Sequence, residues 1–134
     1  MLNHQRSGLF LPAVFLLLAL PFASMAESPE ALEGSWSGQF QVGQYDPMEL
    51  VFHIERDGQT LSARLDIPSQ HRQGIPAGTV SLRGDLLRIT IPDIQGEYYG
   101  AVRLARDGQA IRRIDGDWSQ SGEYVPLTLH PHDP

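Results

Sequence analysis

The chain has 134 residues, no cysteine, ten cationic side chains that are all arginine, and sixteen Asp and Glu, for a formal charge of −6. That length supplies one folded domain with a real core and not two. The missing cysteines exclude a disulfide framework and a thiol lipid anchor, and the negative charge disfavours nucleic acid and anionic lipid surfaces.

Residues 1–26 read as an address, not as part of the fold. Arg6 gives a positive start, Leu9 to Leu20 form an apolar stretch broken only by Pro12, and Ser24-Met25-Ala26 offers small residues where a signal peptidase reads. The stretch is short for a permanent membrane span. The expectation is cleavage near Ala26 and a periplasmic or secreted product with no membrane contact afterwards; an uncleaved anchor competes. Removing Arg6 while keeping all sixteen Asp and Glu takes the formal charge from −6 to −7. Residues 27–33 are expected as a linker, 34–130 as a single β-barrel domain, and 131–134 as a tail.

From residue 34 onward, alternation replaces helical periodicity. Trp36, Gly38, Phe40 and Val42 share one face of a first strand. Asp46-Pro47 turns the chain, and Met48, Leu50, Phe52 and Ile54 then face inward against Glu49, His53 and Glu55. The Asp57-Gly58 turn leads to Leu61, Ala63, Leu65 and Ile67, and residues 68–78 make the longest connection. Val80 and Leu82, the Gly84-Asp85 turn, and Leu87, Ile89 and Ile91 follow. Pro92 to Gly96 loops into Tyr98, Gly100, Val102 and Leu104. After Asp107-Gly108 come Ile111, Ile114, Gly116 and Trp118, whose inward parity slips by one at Arg112-Arg113, as a β-bulge would cause. Val125, Leu127 and Leu129 finish the series. Eight short two-faced strands predict an all-β, antiparallel up-and-down barrel, which removes sheet edges by closure. A two-sheet β-sandwich is the alternative.

A repeat at an offset of fifty residues supports two similar halves. Arg56-Asp57-Gly58-Gln59 recurs as Arg106-Asp107-Gly108-Gln109, Ser69-Gln70 as Ser119-Gln120, and Ile75-Pro76 as Val125-Pro126. Both Asp-Gly turns sit between alternating runs and read as β-hairpins. The two Ser-Gln pairs then fall at one end of the barrel, on opposite sides of its rim. A glutamine amide both donates and accepts, so it suits a ligand's amides or hydroxyls. It suits the backbone of its own loop equally, and the clamp role is the preferred reading of the two.

Gly34-x-Trp36-x-Gly38 resembles the opening of calycin-type, lipocalin-like barrels. Leu65-Asp66-x-Pro68-x-Gln70, Gly74-Ile75-Pro76, Tyr98-x-Gly100, Gly116-x-Trp118-x-Gln120-x-Gly122 and Pro126-Leu127-x-Leu129 are together similar to a small β-domain of exported bacterial proteins. That domain often precedes an α/β-hydrolase domain of the serine aminopeptidase type. The resemblance spans residues 33–130, and departs from the pattern at Ser69 and His71-Arg72. It implies an accessory or binding role and lends no catalytic triad. The chain holds no G-x-S-x-G nucleophile elbow, and Gly116-Asp117-Trp118-Ser119 has the wrong spacing.

Other chemistry is read plainly. His130-x-His132 supplies two metal donors where a site needs more. His53 has outward parity and reads as a solvated imidazole. Ser69, His71 and Asp66 lie on one short segment that cannot align hydroxyl, imidazole and carboxylate, so no spaced Ser-His-Asp set is expected. Asp115-x-Asp117 and Asp93 with Glu97 read as surface charge. Trp36 and Trp118 read as core. The candidate ligand- or partner-binding residues are therefore Asp66, Ser69, Gln70, Trp118, Ser119 and Gln120. The expected role is a non-catalytic module, without cofactor or metal, that binds a small ligand, a peptide or a protein partner. A separately encoded α/β-hydrolase is one such partner, and an apolar ligand carried inside the barrel is a further reading.

Overall fold

A computed structural model describes residues 29–133, so the predicted signal segment lies outside the described residues. The strands are β1 (Gly34–Phe40), β2 (Met48–Asp57), β3 (Thr60–Ile67), β4 (Arg72–Pro76), β5 (Val80–Arg83), β6 (Leu86–Ile91), β7 (Gly96–Leu104), β8 (Ile111–Gln120) and β9 (Glu123–Pro131). They pair antiparallel in the order β4-β3-β2-β1-β9-β8-β7-β6-β5, a curled, barrel-like sheet. Nine strands appear where eight were expected because Arg72–Pro76, read from the sequence as part of the 68–78 connection, is itself a strand, separated from β5 by a break at Ala77–Thr79. There the Ala77 N–H donates to the Ala63 carbonyl at 3.0 Å, and the Gly78 N–H donates to the Thr90 carbonyl at 2.8 Å. The chain thus leaves β3 for β6 within two residues. One continuous strand order takes the place of the two-sheet sandwich.

The turns follow from their residues. Gly58 and Gly84 have positive φ in two-residue hairpin turns, and Gly108 has it in the longer connection from Ala105 to Ala110. The parity slip in β8 is a bulge: Arg103 pairs Arg113, but Leu104 pairs Ile111, leaving Arg112 extra. Of the segment expected as a linker, residues 29–33 are part of the fold. Pro29–Leu32 forms a 3-10 helix, Leu32 is fully buried, and its carbonyl accepts the Trp36 indole N–H at 2.9 Å. This plugs one end of the sheet. The expected tail is also engaged, with the His132 N–H donating to the Ser35 carbonyl at 2.8 Å.

The fifty-residue repeat holds for the two Asp-Gly hairpins and fails for the Ser-Gln pairs. Ser69-Gln70 belong to a 3-10 turn, whereas Ser119-Gln120 end β8. The structural twin of the Pro68–Gln70 turn is Pro92–Ile94. Each follows an extended Ile and ends on a left-handed residue, His71 (φ 55) or Gln95 (φ 52), whose N–H returns to the proline carbonyl.

Most of the predicted core is buried: Trp36, Leu50, Phe52, Ile54, Leu65, Ile89, Val102, Trp118 and Leu127. Phe40 and Leu82, expected in it, are only half-buried. The interior is crossed by three rings. Phe52 of β2 meets Tyr98 of β7 at 5.7 Å and Trp118 of β8 at 6.1 Å between centroids. Tyr98 lies over Gly100 and Gly116, a registered pair, and Trp118 covers Gly96. The Tyr98 hydroxyl faces the carbonyls of Leu127 at 2.9 Å and Ile114 at 3.1 Å, which share its one proton. Burial pushes its pKa well up, with Asp115 and Asp117 adding to the shift.

At Gly116 an added Cβ would collide with the Tyr99 carbonyl and the Gly100 Cα, backbone that has no rotamer to yield. Gly116→Ala should therefore destabilise by about 1–3 kcal/mol through overpacking. The urea midpoint reads this, and an unchanged midpoint contradicts the packing account.

Candidate functional site

Two places on the sheet bring polar or apolar groups together in a way its folding does not require. The first is the rim opposite the Pro29–Leu32 plug. β1 pairs β9 at Trp36–Pro131 and Ser37–His130. At Gly38 the two backbones come so close that a Cβ would strike the Thr128 carbonyl. Beyond Gly38, β1 is registered with β2 alone. There, Phe40, Val42, Met48, Trp118 and Val125 line a cleft of about 420 Å³, edged by Gln120, Ser121 and Glu123. The half-buried state of Phe40 follows from its place in this wall. Val42 is 44% exposed, and Tyr45 in the same loop is 78% exposed. Tyr124, beside the Ser121-Gly122 turn at this end, is 74% exposed.

The second place is the outer wall of β1–β3. Ser35 is registered opposite His53, and Asp66 lies diagonal to His53, across from Val51. The Ser35 Oγ is 2.7 Å from His53 Nδ1, and His53 Nε2 is 2.7 Å from Asp66 Oδ2. The other carboxylate oxygen of Asp66 accepts the Gly74 N–H at 2.7 Å. A bulge between Leu65 and Ile67 places Asp66 at the mouth of the β3–β4 hairpin. The Pro68–Gln70 turn folds back over β2, and Val51 is buried although it belongs to the outer wall. His53 and Asp66 are thereby three-quarters shielded, with side chains 28% and 24% exposed.

Desolvation alone would raise the Asp66 pKa. The Gly74 amide, the His53 imidazole and the Arg64 guanidinium outweigh it and hold the carboxyl below its ordinary 3.8. An ionised carboxylate only accepts hydrogen bonds, so the proton in its contact with His53 sits on Nε2. With that proton on Nε2 and none on Nδ1, the lone pair at Nδ1 is what the Ser35 hydroxyl would donate to.

This assembly corrects two expectations. His53 is not a free solvated imidazole, and a spaced Ser-His-Asp set does exist. The strand register brings Ser35, His53 and Asp66 together from three strands. The set drawn from Ser69, His71 and Asp66 does not form: His71 is exposed at the end of its turn, and Asp66 is committed to His53 and Gly74.

The six predicted site residues separate. Trp118 and Gln120 line the rim cleft, Trp118 mostly as core. Ser69 and Gln70 are exposed on their turn, Ser119 is half-buried in β8, and Asp66 is on the outer wall. The clamp role for the glutamines is overturned: among the described residues neither Gln70 nor Gln120 makes a side-chain hydrogen bond, and both are exposed. Their loops are closed by backbone bonds instead. One member of each acidic pair is charge-paired: Asp115 accepts from Arg113 at 2.9 Å and Arg103 at 3.2 Å, and Glu97 from Arg88 at 3.2 Å. Among the described residues no group of three or more His, Cys, Asp and Glu is placed to hold a metal. None of their helices is long and apolar enough to cross a membrane. No protein-family model, curated protein or solved structure matches the chain.

Because the folded-state pKa of Asp66 is depressed, its contribution to stability is present above pH 3.8 and lost as pH falls through the folded value. Asp66→Asn should remove that dependence. Wild type should exceed the variant in urea midpoint at neutral pH, and the gap should close in acid. A gap constant with pH contradicts the assignment.

Proposed function

We propose that the chain is an exported, non-catalytic β-barrel module that binds a ligand or partner through its loop-lined rim. The observation carrying this is the apolar cleft between the diverging ends of β1 and β9, with Gln120 at its lip. Apolar walls with a few polar groups at the edge are the usual make-up of a binding cleft. The occupant that suits it is an extended molecule or peptide with an apolar group to seat against Phe40, Met48 and Val125. Its amide or hydroxyl would meet the Gln120 side chain.

The fold reading that goes with this is a closed, eight-stranded, calycin-like barrel. What supports it is that Ala77 bonds to β3 and Gly78 to the Thr90 carbonyl of β6, so that β4 and β5, counted as one kinked strand, would join the two ends of the order. The plug at one end and the cleft at the other leave the rim as the accessible mouth. An apolar cargo deep inside is disfavoured by the Phe52, Tyr98 and Trp118 rings that occupy the centre. A protein partner, including a separately encoded α/β-hydrolase, is a second reading. It is favoured by Tyr45 and Tyr124, exposed tyrosines of the kind that anchor interfaces, at the same end.

Nile red, a neutral apolar dye, provides a probe. It should bind the native protein, and amide shifts should concentrate at Val42, Met48, Gln120 and Glu123. Val42→Glu should weaken binding by about tenfold, or about 1.4 kcal/mol, with the melting temperature preserved. Shifts spread over the whole sheet, or no loss in the variant, would overturn the rim reading.

The same geometry fixes the behaviour of the glutamines. Gln70→Ala and Gln120→Ala should each change stability by less than about 0.5 kcal/mol. A larger loss in urea unfolding would restore the loop-clamp role.

A further inference from the structure

We infer that Ser35 is an activated nucleophile on the outer wall, a site that accepts an acyl group from an already activated donor such as a thioester or aryl ester. A serine hydroxyl is a poor nucleophile unless a base takes its proton as it attacks. His53 Nδ1 stands 2.7 Å from Oγ, and Asp66, at 2.7 Å from Nε2, fixes the tautomer that leaves Nδ1 free. The Gly74 N–H in turn fixes the carboxylate. Nucleophile, base and orienting acid are therefore in line, each held by the next.

Ser35 and His53 open onto a shallow depression that also includes Glu33, Glu55, Arg56 and Arg64. Its two arginines are engaged, Arg64 with Glu55 at 3.4 Å and Arg56 with Glu30 and the Gly58 carbonyl. Its carboxylates would repel a developing oxyanion. Strong stabilisation of that charge is what an amide or a plain alkyl ester requires, so the donor class is restricted to acyl groups with a good leaving group. In the step, Oγ bonds to the acyl carbon and the bond to the leaving thiolate or phenolate breaks. The serine proton passes to His53 Nδ1 and then to the leaving group. Asp66 stays ionised, and the chain ends as a Ser35 ester. This is a stoichiometric modification on a different wall from the rim cleft, independent of what the rim binds.

Ser37 supplies an internal comparison. It lies two residues along the same wall, and its Oγ is 3.1 Å from Nδ1 of His132, a ring whose other nitrogen meets no carboxylate among the described residues. The folded chain is treated with p-nitrophenyl acetate, and adducts are located by intact mass and peptide mapping. One acetyl group should appear on Ser35, be lost in Ser35→Ala, and persist in Ser37→Ala. His53→Gln should slow acetylation by about 10²-fold, the lower end of what a positioned base contributes. Circular dichroism and melting of each variant separate loss of reactivity from loss of fold. Imidazole nitrogen shifts should report the Nε2–H tautomer in wild type and lose that preference in Asp66→Asn, a change that a merely structural contact does not require. No adduct, equal labelling of Ser35 and Ser37, or an unchanged rate in folded His53→Gln would overturn the assignment.

Discussion

Everything in this domain rests on filling the inside of a curled sheet. A nine-stranded antiparallel sheet that bends its apolar face inward encloses a volume that aliphatic side chains alone span poorly. Here three rings from opposite walls meet across it, Phe52 against Tyr98 and Trp118. The rings of Tyr98 and Trp118 fit because their own paired strands, β7 and β8, carry glycine beneath them, at positions 96, 100 and 116. The polar end of Tyr98 is matched by the carbonyls of Ile114 and Leu127, so its hydroxyl is not stranded in the core. Large rings over glycine are one solution to a single packing problem, and neither half is intelligible without the other.

That filling decides where chemistry is available. With the centre occupied and one end plugged by Leu32, two surfaces remain: the rim and the outer wall. At the rim, close backbone approach at Gly38 is followed by divergence of β1 from β9, and apolar side chains that would otherwise be core become cleft walls. On the outer wall, antiparallel register sets side chains of adjacent strands about 5 Å apart, within reach of a direct hydrogen bond. Ser35, His53 and Asp66 exploit that spacing on three consecutive strands. The bulge before Ile67 and the turn folded over Val51 add the shielding that an ordinary strand surface lacks.

The Ile-Pro turns are part of the same economy. Each ends a strand with an extended residue before proline, makes one 3-10 turn, and reverses on a left-handed residue. Proline sets the turn without needing an N–H partner. His71 and Gln95 accept a strained backbone at a position where glycine is commoner, and both keep their side chains at the surface. The turn after Ile67 has a second consequence: it presents Gly74 to Asp66 and so orients the acid that holds His53.

Alternation carried eight of the strands, the inward residues and even the bulge at Arg112, because a period of two is a local property of an extended chain with one buried face; it missed Arg72–Pro76, where Ile75 alone is buried and no period shows. It did not show the break at Ala77–Gly78, which depends on where β3 and β6 lie in space. Nor did it show that Leu32 belongs to the core, since a single apolar residue has no period. Pairing the Ser-Gln repeats by offset failed for a related reason: identical dipeptides were drawn into a turn in one case and a strand end in the other by their different neighbours. Outward parity was read correctly for His53, yet parity says only which wall a side chain occupies. Its partners, Ser35 and Asp66, are separated from it by 18 and 13 positions, and only the register between strands, set by the whole sheet, brings them to hydrogen-bonding distance.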